Sequence, residues 1–103
     1  MDVELLYFDG CPHWRAMFER LRSHRRELGF RLLLHEVRSA REAEELDFPG
    51  SPTVRIDGED PFPARGGATG LACRVYEGPD GPAGTPPWSE LERALERAAR
   101  ERP

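Results

Sequence analysis

Apolar positions open the chain as a block. Residues 3–8 are apolar everywhere except Glu4, which predicts a central strand covered on both faces. Asp9 and Gly10 interrupt it, as a turn pair does. Over residues 12–28, Trp14, Met17, Phe18, Leu21 and Leu28 recur at helical spacing. Arg22, Arg25 and Arg26 fall in the second half of that helix, where cations suit the dipole. Gly29 supplies the expected stop. A leucine-rich second strand is expected over residues 30–37. Ser39 and Glu42 have capping-box spacing and predict a short helix through Leu46.

After Asp47 the pattern loosens. Residues 47–52 (Asp-Phe-Pro-Gly-Ser-Pro) form a turn-rich connection. Residues 53–57 alternate, with Val54 and Ile56 on one face, and predict a third strand. Residues 71–76 alternate again, with Leu71, Cys73 and Val75 sharing a face. That face is expected to be buried in a fourth strand. Residues 58–70 and 77–87 read as two long Gly/Pro-rich loops. A last helix is expected from Trp88 or Ser89, with Ser89 and Glu92 as a second capping box and Leu91, Ala94, Leu95 and Ala98 packed inward.

The order strand, helix, strand, helix, strand, strand, helix begins with a βαβ unit. It implies parallel strands and a right-handed crossover. The late pair is expected to be antiparallel. Together these predict one α/β domain over residues 1–103, with a four-stranded mixed sheet flanked by about three helices.

Composition narrows the chemistry. The chain has 103 residues, 38% hydrophobic and 33% charged, which reads as a soluble domain large enough to build its own core. All 15 basic residues are Arg, so Schiff-base and P-loop lysine chemistry are excluded. A net charge of -4 argues against nucleic acid as a partner. No apolar run reaches membrane-spanning length, so no membrane partner is expected. Asp2 and Glu4 lead straight into a strand pattern, unlike a signal peptide. The cytoplasm is therefore the expected compartment, and a permanent disulfide is not expected there.

The stretch Phe8-Asp9-Gly10-Cys11-Pro12-His13-Trp14 lies where the first strand hands over to the first helix. A thiol there stands near backbone N–H groups with no intrahelical partner and near the positive end of the helix dipole. Both favour a thiolate. Pro12 suits a first-turn position. His13, when protonated, would add positive charge beside the sulfur; its bland reading is a solvent-facing first-turn residue. Cys11 is thus expected to be a low-pKa, partly exposed nucleophile or soft-metal ligand. Cys73 reads first as a core residue, by its shared face with Leu71 and Val75. Its alternative role is a resolving thiol or second soft ligand. Trp14 reads as packing at the helix start, with an aromatic lip on a substrate groove as the alternative. Arg15, Arg20, Arg22, Arg25 and Arg26, interspersed with Glu19 and Glu27, read as a solvated helix face rather than an anion-binding one. His24 and His35 lack ligand spacing to either cysteine and receive no site.

The element order and three short segments resemble the thioredoxin-like superfamily. Cys11-Pro12-His13 is similar to the first three positions of its Cys-Pro-X-Cys redox motif. Ser51-Pro52-Thr53 matches the place of its cis-proline, which faces the thiol. More narrowly, the chain resembles small bacterial thioredoxin-like proteins with a Phe-X-Gly-Cys-Pro-X-Trp start and a later Cys-Arg-Val-Tyr segment, some labelled alkylmercury-lyase-like. The resemblance implies a thioredoxin fold and a cis Pro52. It also implies that Ser51 and Thr53 hold an extended sulfur-bearing substrate by strand-like pairing. One departure stands out: Trp14 occupies the place of the second cysteine, so no mixed disulfide can be resolved at that spacing.

Three functions follow as expectations. The first is thiol–disulfide oxidoreductase chemistry. Cys11 attacks, Pro12 and His13 tune it, Trp14, Ser51, Pro52 and Thr53 shape the docking edge, and Cys73, glutathione or another small thiol resolves. Its partner is a thiol or disulfide, on a protein or a small molecule. The second is a soft-metal or organomercurial binder with Cys11 and Cys73 as ligands. The third is a non-catalytic interaction module. No resident cofactor or metal is expected.

Overall fold

The structure is a computed structural model, and it describes residues 1–64 and 67–101. Eight elements follow one another: β1 (Asp2–Tyr7), α1 (Trp14–Leu28), β2 (Arg31–Glu36), α2 (Ala40–Glu45), β3 (Thr53–Ile56), β4 (Tyr76–Gly78), β5 (Gly81–Ala83) and α3 (Trp88–Arg100). β1 is the central strand of a three-stranded mixed sheet in the order β2-β1-β3. It runs parallel to β2, with Asp2 opposite Arg31 and Tyr7 opposite Glu36. It runs antiparallel to β3, with Val3 opposite Ile56 and Leu6 opposite Thr53.

The unbroken apolar run of β1 has a physical reason. Val3 and Leu5, with Val54 and Ile56, pack against Met17 and Leu21 of α1 and Leu91 and Leu95 of α3. On the other face Leu6 packs with Val37, Phe48 and Ala43 of α2. Side chains alternate across a strand, so a strand buried on both sides must be apolar at consecutive positions. Each fully buried Leu here is a position where truncation to Ala costs about 2–5 kcal/mol. Glu4 is tolerated because it meets the His35 ring on the α2 face, Oε2 to Nδ1 3.2 Å.

Helix ends follow local chemistry, with two corrections. α1 begins at Trp14 with His13 as its N-cap, two residues later than residue 12. The residue before a proline is disfavoured in helical conformation, which keeps Cys11 and Pro12 outside the helix. α1 ends as expected on Gly29, at φ 71°. At α2 the Ser39 hydroxyl accepts from the Glu42 N–H at 3.0 Å, while Glu42 Oε1 accepts from the Arg38 N–H at 2.8 Å. The Arg38 N–H bond, and after it the His35 ring, hold the Glu42 carboxyl below its ordinary pKa. The second capping box is not formed: α3 starts on Pro87, with no side-chain cap.

The larger correction concerns the fourth strand. Residues 71–75 touch the main sheet through a single parallel bridge, Cys73 to Ser51, where an antiparallel strand was expected. Their facing is also inverted. Leu71, Cys73 and Val75 are exposed, while Arg74 and Tyr76 are buried. The apolar face loses because Arg74 finds Asp60, Thr53 and the Phe62 carbonyl inside. The second long loop is likewise not a loop throughout, since β4 and β5 form a hairpin within it. No helix among the described residues is long and apolar enough to cross a membrane.

Candidate functional site

Cys11 ends a turn that β1 enters at Phe8. Its N–H donates to the Phe8 carbonyl at 3.1 Å. Phe8 is itself tied across the sheet, its N–H donating to the Ser51 hydroxyl at 3.2 Å. The strand end that delivers the thiol and the segment facing it are therefore fastened together. Ser51–Pro52 is a cis peptide, as the resemblance implied. The Cys11 thiol donates to the Ser51 carbonyl at 3.5 Å, and its sulfur accepts from the His13 N–H at 3.4 Å. A helix-start N–H thus meets the sulfur, although Cys11 lies outside the helix.

Two expectations about the cysteines exchange places. Cys11 is 4% exposed, not partly exposed, with its sulfur engaged by the Ser51 carbonyl and the His13 N–H. Cys73 is exposed, not a core residue, because its strand face is inverted. Both thiols are free, and both residues meet Ser51, Cys11 through its thiol on the carbonyl and Cys73 through a backbone bridge. Loss of hydration raises the Cys73 pKa above its ordinary value, and the neighbouring Cys11 sulfur raises it further. The proximity is set by backbone. The Ser51 N–H donates to the Ala72 carbonyl at 2.9 Å, and the Arg74 N–H donates to the Ser51 carbonyl at 2.9 Å. Cys73 sits between those two bonds. Gly50 permits the approach, since a Cβ there would stand 3.0 Å from the Ala72 carbonyl oxygen.

The docking edge expected at Ser51 is thereby occupied by the chain itself. Ser51, Pro52 and Thr53 are all buried. Ser51 uses its N–H and carbonyl on residues 72 and 74, and Thr53 pairs with Leu6 of β1. Pro12 is exposed. His13 is exposed too, and its ring lies on Gly84, where a Cβ would come within 2.3 Å of it. Trp14 stacks on Tyr7 at 4.0 Å between ring centroids and packs on the main core, in line with the packing role. The α1 arginines are exposed, as a solvated face requires.

Sequence reasoning missed what holds the site from below. The Arg74 guanidinium pairs with Asp60 at 2.7 Å, donates to Thr53 Oγ1 at 3.1 Å and to the Phe62 carbonyl, and lies 4.4 Å from the centroid of the Tyr76 ring. Tyr76 donates its hydroxyl hydrogen to the Pro52 carbonyl at 2.5 Å. Thr53 Oγ1 also donates to the Gly50 carbonyl at 2.7 Å. The one available signal was that Arg74 and Tyr76 share the opposite face of the alternating stretch.

Two hollows lie on this side of the molecule. The larger, about 810 Å³, sits between the 56–62 turn and α3 and holds neither thiol. The other, about 740 Å³, is lined by Cys73 together with Pro49, Phe62, Pro63 and Pro87. It is the one of interest, because chemistry rather than size marks a site. No family model matches the chain, and comparison with curated proteins and with solved structures gives no significant match. Among the described residues no group of three or more His, Cys, Asp or Glu could hold a metal ion. The thiol pair is therefore the constellation from which a function must be argued.

Proposed function

We propose that this protein is a thiol–disulfide exchange protein on a thioredoxin-like scaffold, with Cys11 and Cys73 as its redox couple. One observation carries the reading: both cysteines meet Ser51, whose carbonyl accepts from the Cys11 thiol at 3.5 Å and whose backbone bridges to Cys73. Two free thiols so placed can trade one bond. A thiolate of the pair attacks a substrate disulfide, forming a mixed disulfide and expelling one substrate thiolate. The other cysteine, once deprotonated, attacks the protein sulfur of that bond and expels the second substrate thiolate. The substrate leaves reduced, the protein holds a Cys11–Cys73 disulfide, and an external dithiol restores it. Cys73 thus supplies the partner that Trp14 displaces from the usual spacing. The parallel β1–β2 unit, the antiparallel β3 and the cis Ser51–Pro52 bond beside the thiol support the scaffold assignment.

The test is peptide mapping of wild-type protein after treatment with excess oxidised glutathione. The expected product is an internal Cys11–Cys73 disulfide. Stable separate adducts on both cysteines would overturn the couple.

A second reading shares the same observation. Two adjacent thiolates suit a two-coordinate soft ion such as Hg(II) or Cu(I). Titration with Hg(II) would then consume both thiols with one ion per chain. Two ions bound independently would dismiss it.

A further inference from the structure

The two sulfurs are not equivalent. Cys11 is 4% exposed and is engaged on both sides, by the Ser51 carbonyl and the His13 N–H. Cys73 is exposed and opens on the hollow of about 740 Å³, a volume typical of small-molecule sites. A disulfide reaches the nearly sealed Cys11 sulfur only through local opening. It reaches the Cys73 sulfur directly. Among the described residues, the charged side chains lining that hollow are Glu77, Glu90 and Arg74. Arg74 is neutralised by Asp60 at 2.7 Å, which leaves two exposed carboxylates facing the entrant.

We propose that Cys73, not Cys11, is the thiol that meets the substrate, that Cys11 resolves the bond so formed, and that the hollow accepts a disulfide of neutral or positive charge. This rests on the exchange reading above. Cys73 thiolate attacks one sulfur of the substrate disulfide and expels the other half as a thiolate. Cys11, deprotonated in turn, attacks the Cys73 sulfur at close range and expels the second half. The Cys11 and Cys73 sulfurs end joined in a disulfide, and both substrate sulfurs leave reduced. In the reverse direction a reducing thiolate attacks the exposed Cys73 sulfur and Cys11 is the leaving group. The His13 N–H already points at the sulfur that then carries the charge.

The experiment uses reduced full-length protein and limiting cystamine, a cationic disulfide, quenched by acid and mapped by mass spectrometry. The first mixed disulfide is expected on Cys73, about tenfold or more ahead of Cys11, because a buried thiol reacts only through local opening. In Cys11→Ser the Cys73 adduct should persist, for want of a resolving thiol. Sub-stoichiometric iodoacetamide on the wild type gives the same ordering without any substitution. Earlier or equal modification of Cys11 in the wild type would overturn the assignment. The charge claim is tested by comparing cystamine with oxidised glutathione, each rate normalised to its reaction with mercaptoethanol. Cystamine should be favoured several-fold at low salt, and both added salt and the Glu77→Gln, Glu90→Gln variant should shrink the ratio. Equal normalised rates would overturn that part. Failure of the exchange reading looks different: Cys73 would be modified first, yet no Cys11–Cys73 bond would ever close.

Discussion

Arg74 and Asp60 hold each other at 2.7 Å, with the Arg74 side chain 4% and the Asp60 side chain 18% exposed. The pair lies directly beneath the segment that brings Cys73 to Cys11. A buried cation is stable only when it is paired and hydrogen-bonded, and Arg74 has Asp60, Thr53, Phe62 and the face of Tyr76. Removing one partner leaves the other charge buried without compensation. Arg74→Ala or Asp60→Asn is therefore expected to lose about 3–5 kcal/mol of stability, the usual consequence of breaking a buried pair. Urea denaturation checks this. A loss below about 1 kcal/mol, the scale of an exposed pair, would mean that the network does not hold the segment.

Tyr76 couples the same network to the thiol-facing turn. Its hydroxyl bond to the Pro52 carbonyl is sealed from water, and burial pushes its pKa well above the ordinary tyrosine range, against the opposing pull of Arg74. Tyr76→Phe leaves that carbonyl without its donor, so a loss of about 1–3 kcal/mol is expected. The pH dependence has a definite sign. A folded-state pKa above the unfolded one gives stability that is complete below the ordinary tyrosine pKa and lost as pH rises through the folded value. Ultraviolet titration should show one of the two tyrosines ionising only as the protein unfolds in alkali. Two tyrosines titrating normally in folded protein would contradict the bond.

Three strands of the expected four-stranded sheet were legible from sequence, and the site only in part. β1 announced its double burial through consecutive apolar residues, and α1, α2 and β3 followed their periodicities. Residues 71–76 did not. An alternating stretch with Leu71, Cys73 and Val75 on one side is a local argument for burying that side. Its outcome was set by Asp60, Phe62 and Thr53, distant in sequence and able to satisfy Arg74 only after folding. The exposure of the two cysteines was lost with that inversion, although their identity, the turn that holds Cys11 and the cis Ser51–Pro52 bond were anticipated. His24 shows the same limit within a helix. It lies on the buried face of α1, in step with Met17 and Leu21, with Nε2 lacking a hydrogen-bond partner among the described residues, and the spacing that places it there does not tell what its ring would meet.

The Cys73 thiol carries a readable signature of its neighbour. Lost hydration and then the Cys11 sulfur raise its pKa, so less of it is thiolate at neutral pH. In Cys11→Ala the second cause disappears while the first remains. The pH profile of Cys73 alkylation should therefore shift partway back toward the range of an ordinary cysteine. The measurement is the alkylation rate across neutral and alkaline pH for both proteins. Superimposable profiles would mean that the sulfurs do not sense one another, against the proposed couple.

Gly50 decides how closely the Cys73 segment can lie on Ser51. Its φ is +129°, a region L side chains rarely adopt, and an added Cβ would meet the Ala72 carbonyl oxygen at 3.0 Å and Arg74 Cα at 3.2 Å. Both obstacles are backbone, so no side-chain rotation relieves them. Gly50→Ala must push residues 72–74 outward, weakening the two bonds that Ser51 makes with them. Backbone strain of this kind costs about 1–3 kcal/mol, measurable by denaturation. The more telling consequence is local. With the segment displaced, Cys11 should become accessible and alkylate faster in native buffer than in the wild type. If stability falls while Cys11 stays protected, the Cys73 segment is not what covers it. The burial of Cys11 would then have to come from Ser51 and the Phe8–Cys11 turn alone.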